Sequence, residues 1–386
     1  MKTAYLHDEM TSWRHGFHQI PELEFDLPKT EARVAELLES FGLEVHRGIG
    51  QSGVVGVLQR GNGPRSIGIR ADMDALPIDE VNGFAHRSTH PGKMHACGHD
   101  GHMTMALGAA KHLAGQGDFN GRAVFIFQPN EEFGDGAAAM IRDGMFDRFG
   151  IERVYGMHNI PGMELTDFAT RAGPITAAES LFEIEITARG GHAALPHMGV
   201  DAITVGAQMV SALQTIVSRK LDPAQNGVVS ITEFITDGRR NVLPGHAVLK
   251  GDARALTPDT NAATEAAMRQ IVAGIAAAHD VETTVQYDTI FPPTVNDAKA
   301  TRAAEAAARA LGNNVDGDCP PKLFSEDFAH MAAAVPGCFM LMGNGTKGSH
   351  ARPLHSADYD FNDAALVAGS SYWVALVERE LGSDTA

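Results

Sequence analysis

Apolar and polar positions alternate with two different periods along this chain, and the change of period marks its parts. Residues 11–46 are expected to form a helical opening, in which Val34, Leu37, Leu38 and Phe41 fall on one stripe before Gly42. Short β-branched runs follow at residues 54–58, 66–70 and 123–127, the last two ending where polar residues begin. Between them Met103, Ala106, Leu107, Ala110 and Leu113 recur at helical spacing. Strands alternating with helices predict an α/β domain whose functional groups gather at strand ends.

Near residue 180 the pattern changes. Segments 181–187, 228–234 and 247–254 alternate apolar with polar residues, as strands with one wet face do. Two helices are expected among them. One spans 201–219, with Ile203, Val205, Val210, Leu213, Ile216 and Val217, and the other spans 262–278, with Met268, Ile271 and Ile275. Closed by a strand at 283–287, the order is β-α-β-β-α-β, which predicts a ferredoxin-like α+β insert. After Phe291-Pro292-Pro293 helix and apolar strand return, including residues 338–343. The expected organisation is a larger α/β domain built from residues 1–180 and 291–386, interrupted by a smaller one at 181–290.

Composition narrows the possible partners. With 386 residues and 44% hydrophobic content the chain is long enough for two or three domains with sizeable cores. Lys and Arg total 31 against 48 Asp and Glu, a net charge of -17, which argues against nucleic acid or an anionic membrane as partner. Residues 1–10 contain no continuous apolar run, and no later segment offers about 18 unbroken apolar residues. A cytoplasmic protein is therefore expected. Cys97, Cys319 and Cys338 form no CxxC pair and are too few for a disulfide scaffold, which leaves Cys97 available as a ligand.

That matters because of its surroundings. Met94-His95-Ala96-Cys97-Gly98-His99-Asp100-Gly101-His102 places Cys97 and His99 one small residue apart, so that in an extended loop both could face one cation. Thiolate, imidazole and carboxylate suit zinc or a neighbouring transition metal better than magnesium or calcium. The competing reading is a His-rich loop around a buried free thiol. A second cluster, Gln128-Pro129-Asn130-Glu131-Glu132, follows the run at 123–127 and sets two adjacent carboxylates at a strand end. Adjacent side chains point different ways, so one carboxylate can bind metal while the other takes a proton from water. A solvated loop is the plain alternative. His158 and His355 each follow an apolar or turn segment and add two more imidazoles.

Several further blocks occur in order with these: His18-Gln19-Ile20-Pro21-Glu22-Leu23, Arg70-Ala71-Asp72-Met73-Asp74-Ala75-Leu76-Pro77, Gly156-Met157-His158-Asn159, Gly190-Gly191-His192-Ala193-Ala194, Asn241-Val242-Leu243-Pro244, Ser325-Glu326-Asp327-Phe328 and Leu354-His355-Ser356. Over nearly its whole length the chain resembles the M20 metallopeptidases, in the amidohydrolase branch that contains hippurate hydrolase, aminoacylase-like enzymes and plant auxin-conjugate hydrolases. The resemblance implies a zinc-peptidase-like catalytic domain, with a mixed sheet flanked by helices, and an inserted lid that also dimerises. It implies two divalent metal ions per subunit (zinc, manganese, cobalt or nickel) held by Cys97, His99, Glu132, His158 and His355, with Glu131 as general base. His192 is implied to stabilise the oxyanion, generally in the partner subunit's site, and Asn241 to touch substrate. Arg254 is a candidate grip for a substrate carboxylate, or else a surface ion pair.

The chain departs from the wider family where a His-x-Asp motif is replaced by Asp72-Met73-Asp74. Asp74 is then expected to orient a ligand, and His95, Asp100 and His102 are candidates for groups behind the ligands. The implied activity is hydrolysis of N-acyl amino acids to a carboxylic acid and a free amino acid. A dipeptidase or carboxypeptidase of the same fold is the alternative, and a non-catalytic binding protein a more distant one.

Overall fold

The computed structural model describes residues 1–382. The chain divides into two compact units, the first comprising Met1–Ile175, Val295–Pro320 and the chain from Glu326 onward, the second Thr176–Thr294 with Pro321–Ser325. Pro321–Ser325 joins the second unit although no periodicity marks it.

The first unit is built on an eight-stranded mixed sheet, in the order Glu44–Ile49, Gly53–Arg60, Gly121–Gln128, Ser66–Asp72, Arg153–Pro161, Gly337–Gly345, Phe168–Ala169, Val315–Asp316. Its middle strands, Gly121–Gln128, Ser66–Asp72, Arg153–Pro161 and Gly337–Gly345, are parallel to their neighbours in that group. Parallel strands covered on both faces must be apolar on both sides, which is why these segments read as continuous hydrophobic runs. Ala123, Phe125 and Phe127 point into one core with the helices His7–His18, Pro28–Ser40, His99–Gln116 and Leu366–Leu381. Val124 and Ile126 point into the other, beneath Gly136–Arg142, Met145–Phe149 and Phe328–Ala334.

The expected helical opening over 11–46 is too long. Helices occupy His7–His18 and Pro28–Ser40, and Glu44–Ile49 is an edge strand paired antiparallel with Gly53–Arg60. Gly42, at φ 87, ends the second helix and turns the chain into the sheet. Among the described residues no helix is long and apolar enough to cross a membrane.

The second unit has four antiparallel strands in the order Gly227–Thr236, His246–Ala255, Ala178–Thr187, Glu282–Phe291, with helices Ala202–Leu213 and Pro258–His279 between them in the chain. This is a β-α-β-β-α-β unit. Phe182, Ile184 and Ile186 face its core with Val205, Met209, Leu249 and Met268, while Glu183 and Glu185 face outward. The helix expected over 201–219 is α-helical only to Leu213, and Ile216–Lys220 continues as a π-helical turn. The longer helix begins at Pro258, with its fixed φ in the first turn and the Thr257 side chain accepting from Thr260 N.

Candidate metal centre

Three of the chemically loaded segments leave the C-terminal end of a parallel strand, where open α/β sheets gather their ligands. Ser66–Asp72 leads to Asp74, Gly121–Gln128 to Glu131 and Glu132, and Gly337–Gly345 to the loop carrying His355, while His158 sits in the second half of Arg153–Pro161. Cys97 and His99 arrive from the start of the helix His99–Gln116.

These segments converge. The donor atoms of Cys97, His99 and His158 lie within 4.8 Å of one another, and so do those of Cys97, Glu132 and His355, so the thiol is common to both groups. His99, Glu131 and Glu132 form a further such group. Cys97 Sγ is 3.3 Å from His158 Nε2, His355 Nε2 is 3.4 Å from Glu132 Oε2, and His99 Nε2 is 3.8 Å from Glu132 Oε1.

Two imidazoles are oriented from behind. His99 Nδ1 lies 2.8 Å from the Asp74 carbonyl and His158 Nδ1 lies 2.8 Å from the Asn159 carbonyl. In the neutral ring, an Nδ1–H donated to a carbonyl leaves Nε2 as the free lone pair, the tautomer that a bound cation in place of a second ring proton would select. The Asp74 carboxylate accepts from Glu131 N at 3.0 Å and from Glu132 N at 3.1 Å, which ties it to the turn that carries both glutamates. His102 reaches Asp72 Oδ1 at 2.7 Å through Nδ1 and Asn159 Oδ1 at 2.8 Å through Nε2. It is a buried network member packed against the rings of His99 and His158. Asp100 is bound by His18, with His18 Nδ1 2.8 Å from Asp100 Oδ2.

The donor set fits divalent cations. His99 Nε2 and Glu132 Oε1 are buried and make no hydrogen bond, although such atoms ordinarily find a partner. Both are aimed into the cluster. Burial and the neighbouring Glu132 and Glu131 carboxylates hold the Cys97 thiol well above its ordinary range. Burial pushes Glu132 up to about 7, and burial with Glu326 and Glu132 pushes Glu131 well above the usual carboxylate range. Burial works against a charged His99, yet Asp72, Asp74 and Glu132 outweigh it and hold the imidazole at about 10. Excess negative charge in a buried site, facing thiol and imidazole donors, is the electrostatic condition that a bound dication satisfies.

In the second unit, His192 and Asn241 come together through a short antiparallel pairing of Gly191–His192 with Val242–Leu243, and Ala193 N donates to Asn241 O at 3.1 Å. Both side chains are exposed. Ala194 N donates to His192 Nδ1 at 3.0 Å, which leaves the proton of a neutral ring on Nε2. Arg254 is otherwise engaged. Its Nε lies 2.9 Å from Asp252 Oδ2, its Nη2 3.0 Å from Glu179 Oε1 and its Nη1 3.1 Å from Ser325 Oγ. A substrate carboxylate would have to displace one of two carboxylates already there.

Reasoning from the sequence assigned no role to Arg70, Gln128, Glu326 or Asp327, although their blocks were recognisable. The signal was present at Arg70, a guanidinium inside an otherwise apolar strand. It is 1% exposed, which a cation tolerates only when surrounded by carboxylates.

Comparison with known proteins follows the same lines. Residues 68–379 match the sequence profile of Peptidase family M20/M25/M40. The chain is 39% identical to hippurate hydrolase of Campylobacter jejuni over 378 residues, covering 97% of each protein. It is 34% identical to N-acetyl-L-cysteine deacetylase of Bacillus subtilis over 381 residues, covering 98% of this chain and 90% of the relative. Among solved structures, the Bacillus subtilis YXEP protein, described as a dinuclear metal binding peptidase from the M20 family, superposes with a TM-score of 0.85 at 30% identity, covering 98% of this chain and 99% of that one.

Proposed function

The chain belongs to peptidase family M20/M25/M40 and is a metal-dependent hydrolase of amide bonds, and from that premise we propose that it cleaves N-acyl amino acids into a carboxylic acid and a free amino acid. The observation that carries the reading is the pair of donor groups sharing Cys97, with Glu131 beside them. Cys97, His99 and His158 on one side, and Cys97, Glu132 and His355 on the other, would hold two divalent ions, zinc or another transition metal in keeping with the sulfur and nitrogen donors. When bound, such ions polarise an amide carbonyl and make water more acidic.

The chain's own residues supply the rest. Glu131 takes a proton from the attacking water as its oxygen bonds to the carbonyl carbon, and gives that proton to the amine nitrogen as the C–N bond breaks. Asp74 fixes both glutamates through their backbone amides, so Glu131 and Glu132 keep separate tasks. His192, protonated on Nε2, would donate to the developing oxyanion, and Asn241 beside it would contact the substrate. Because the family resemblance implies that His192 serves a neighbouring chain, a homodimer through the second unit belongs to this proposal. The exposed edge strand Gly227–Thr236, bearing exposed Phe234 and Ile235, supports it.

The test is a substrate panel on metal-reconstituted protein: acetyl, benzoyl and longer N-acyl amino acids against matched dipeptides. Turnover confined to dipeptides would overturn the substrate class. Glu131→Gln should keep its metal and lose about a hundredfold or more in kcat. Glu132→Gln should instead lower metal content.

A further inference from the structure

The turn over residues 129–135 carries Glu131 and Glu132, and its backbone is closely constrained. Asn130 holds φ 50, in the left-handed region that non-glycine residues enter at a cost. The turn closes so tightly that a Cβ on Gly136 would lie 1.6 Å from Pro129 O. Such a conformation persists only where its surroundings determine it.

They do so through one buried group. The Asp327 carboxylate accepts from Gln128 Nε2 at 2.8 Å, at the last residue of the strand entering the turn. It also accepts from Ala137 N at 2.9 Å, in the first turn of the helix that leaves it. Both ends of the turn are thus tied to one side chain. Arg70 holds that side chain in place, with Nη2 2.9 Å from Asp327 Oδ1 and 2.8 Å from Glu326 Oε1, and Nε 2.8 Å from Gln128 Oε1. The third arm of the guanidinium reaches Asp72 Oδ2 at 2.7 Å, and Asp72 in turn holds His102. Asp327 N points at Glu131 Oε1 from 3.4 Å.

We infer that Gln128, Asp327 and Arg70 are positioning residues, a buried clamp that fixes the turn and thereby the placement of the Glu131 and Glu132 carboxylates. The inference rests on the reading of Glu131 as base and Glu132 as ligand. Gln128 and Arg70 are buried away from solvent, so they act through the turn. A misplacement of about 1 Å at a reacting group can cost about a hundredfold in rate, and partners behind a ligand typically contribute ten- to a hundredfold in metal affinity.

The experiment uses Gln128→Met, which keeps the volume and removes the side-chain hydrogen bonds to Asp327, Arg70 and Pro129 O. Metal affinity, by competition with a chelating dye, should weaken by about tenfold or more. At saturating metal, kcat should fall by about tenfold to a hundredfold with KM within about twofold. Hydrogen exchange at the Glu131 and Glu132 amides should quicken. In a Glu131→Gln background the same change should cost little further turnover while still weakening metal binding, because residues acting as one unit are not additive. Unchanged affinity and kcat, whatever happens to thermal stability, would overturn the clamp, as would fully additive losses in the double variant. Should Gln128→Met fail to fold, Asp327→Asn carries the same readouts and decides in the same way. If Glu131→Gln alone keeps normal turnover, the assignment of the base is wrong, whereas the loss of metal affinity still tests the clamp through Glu132.

Discussion

Gly98 stands between Cys97 and His99, and replacing it with alanine puts a number on how tightly the metal centre is built. The residue caps the helix His99–Gln116 at φ 93 and ψ 15. An added Cβ would lie 2.2 Å from Asn159 Oδ1 and 2.6 Å from the Tyr359 hydroxyl. The left-handed backbone alone costs an alanine about 1–2 kcal/mol. The clash then drives the Asn159 amide away from His102 and Tyr359, which it meets at 2.8 and 2.5 Å. Each buried polar group left without a partner costs about 1–3 kcal/mol, and the stiffer unfolded chain returns up to about 1 kcal/mol. With two such groups unpartnered, together these give a net loss of about 2–8 kcal/mol for Gly98→Ala. Both tryptophans, Trp13 and Trp373, are buried in the first unit, so urea unfolding followed by their fluorescence in the presence of a chelator reports on that unit alone. A loss under about 1 kcal/mol would refute the packing argument.

Three other outcomes are expected. His18 lies between Asp100 and Glu80, at 2.8 and 3.2 Å; burial lowers its proton affinity, but the two carboxylates outweigh burial and lift it to about 9. Since that exceeds the unfolded value of about 6.5, its contribution is complete below about pH 6.5 and fades as pH rises through about 9; unfolding free energy should therefore fall more steeply from pH 7 to 9.5 in the parent than in His18→Gln, and parallel curves would count against it. Cys97 should resist alkylation until a chelator is added, with Cys319 and Cys338 as buried internal controls, and equal rates with and without metal would remove it from the ligand set. Mixing His192→Ala with Glu131→Gln chains should restore activity if the two groups meet across a homodimer, and hybrids as inactive as their parents would show that they do not.

Much of this was legible in the sequence because periodicity and chemistry are local. The strand at 123–127 and the helix after Cys97 follow from the spacing of apolar residues, and the structure extends them to Gly121–Gln128 and His99–Gln116. The error over 11–46 arose where Glu44–Ile49, a half-exposed edge strand, carries too few apolar residues to break a helical reading. Long-range partners were not legible. Asp327 lies 199 residues from Gln128, and Arg70 lies 257 from Asp327, so only folding reveals that the three form one network. Arg254 is a similar case, since an arginine at a strand end reads equally as a carboxylate grip or an ion pair, and its neighbours Glu179 and Asp252 come together with it only in the fold.

The buried polar groups of the first unit bear on stability as well as chemistry. Asp72, Glu131, Glu326 and Asp327 crowd around Arg70, the guanidinium set among them, and burial pushes Asp327 up to about 8 even against the pull of Arg70. Taking carboxylates out of water without matching positive charge opposes folding. Cations bound by Cys97, His99, Glu132, His158 and His355 would offset part of that cost. A ligand that binds only the folded state stabilises it in proportion to the logarithm of its concentration over Kd. On the proposed reading, the arrangement that would prepare Glu131 as base and Glu132 as ligand would therefore also tie the stability of this unit to bound metal.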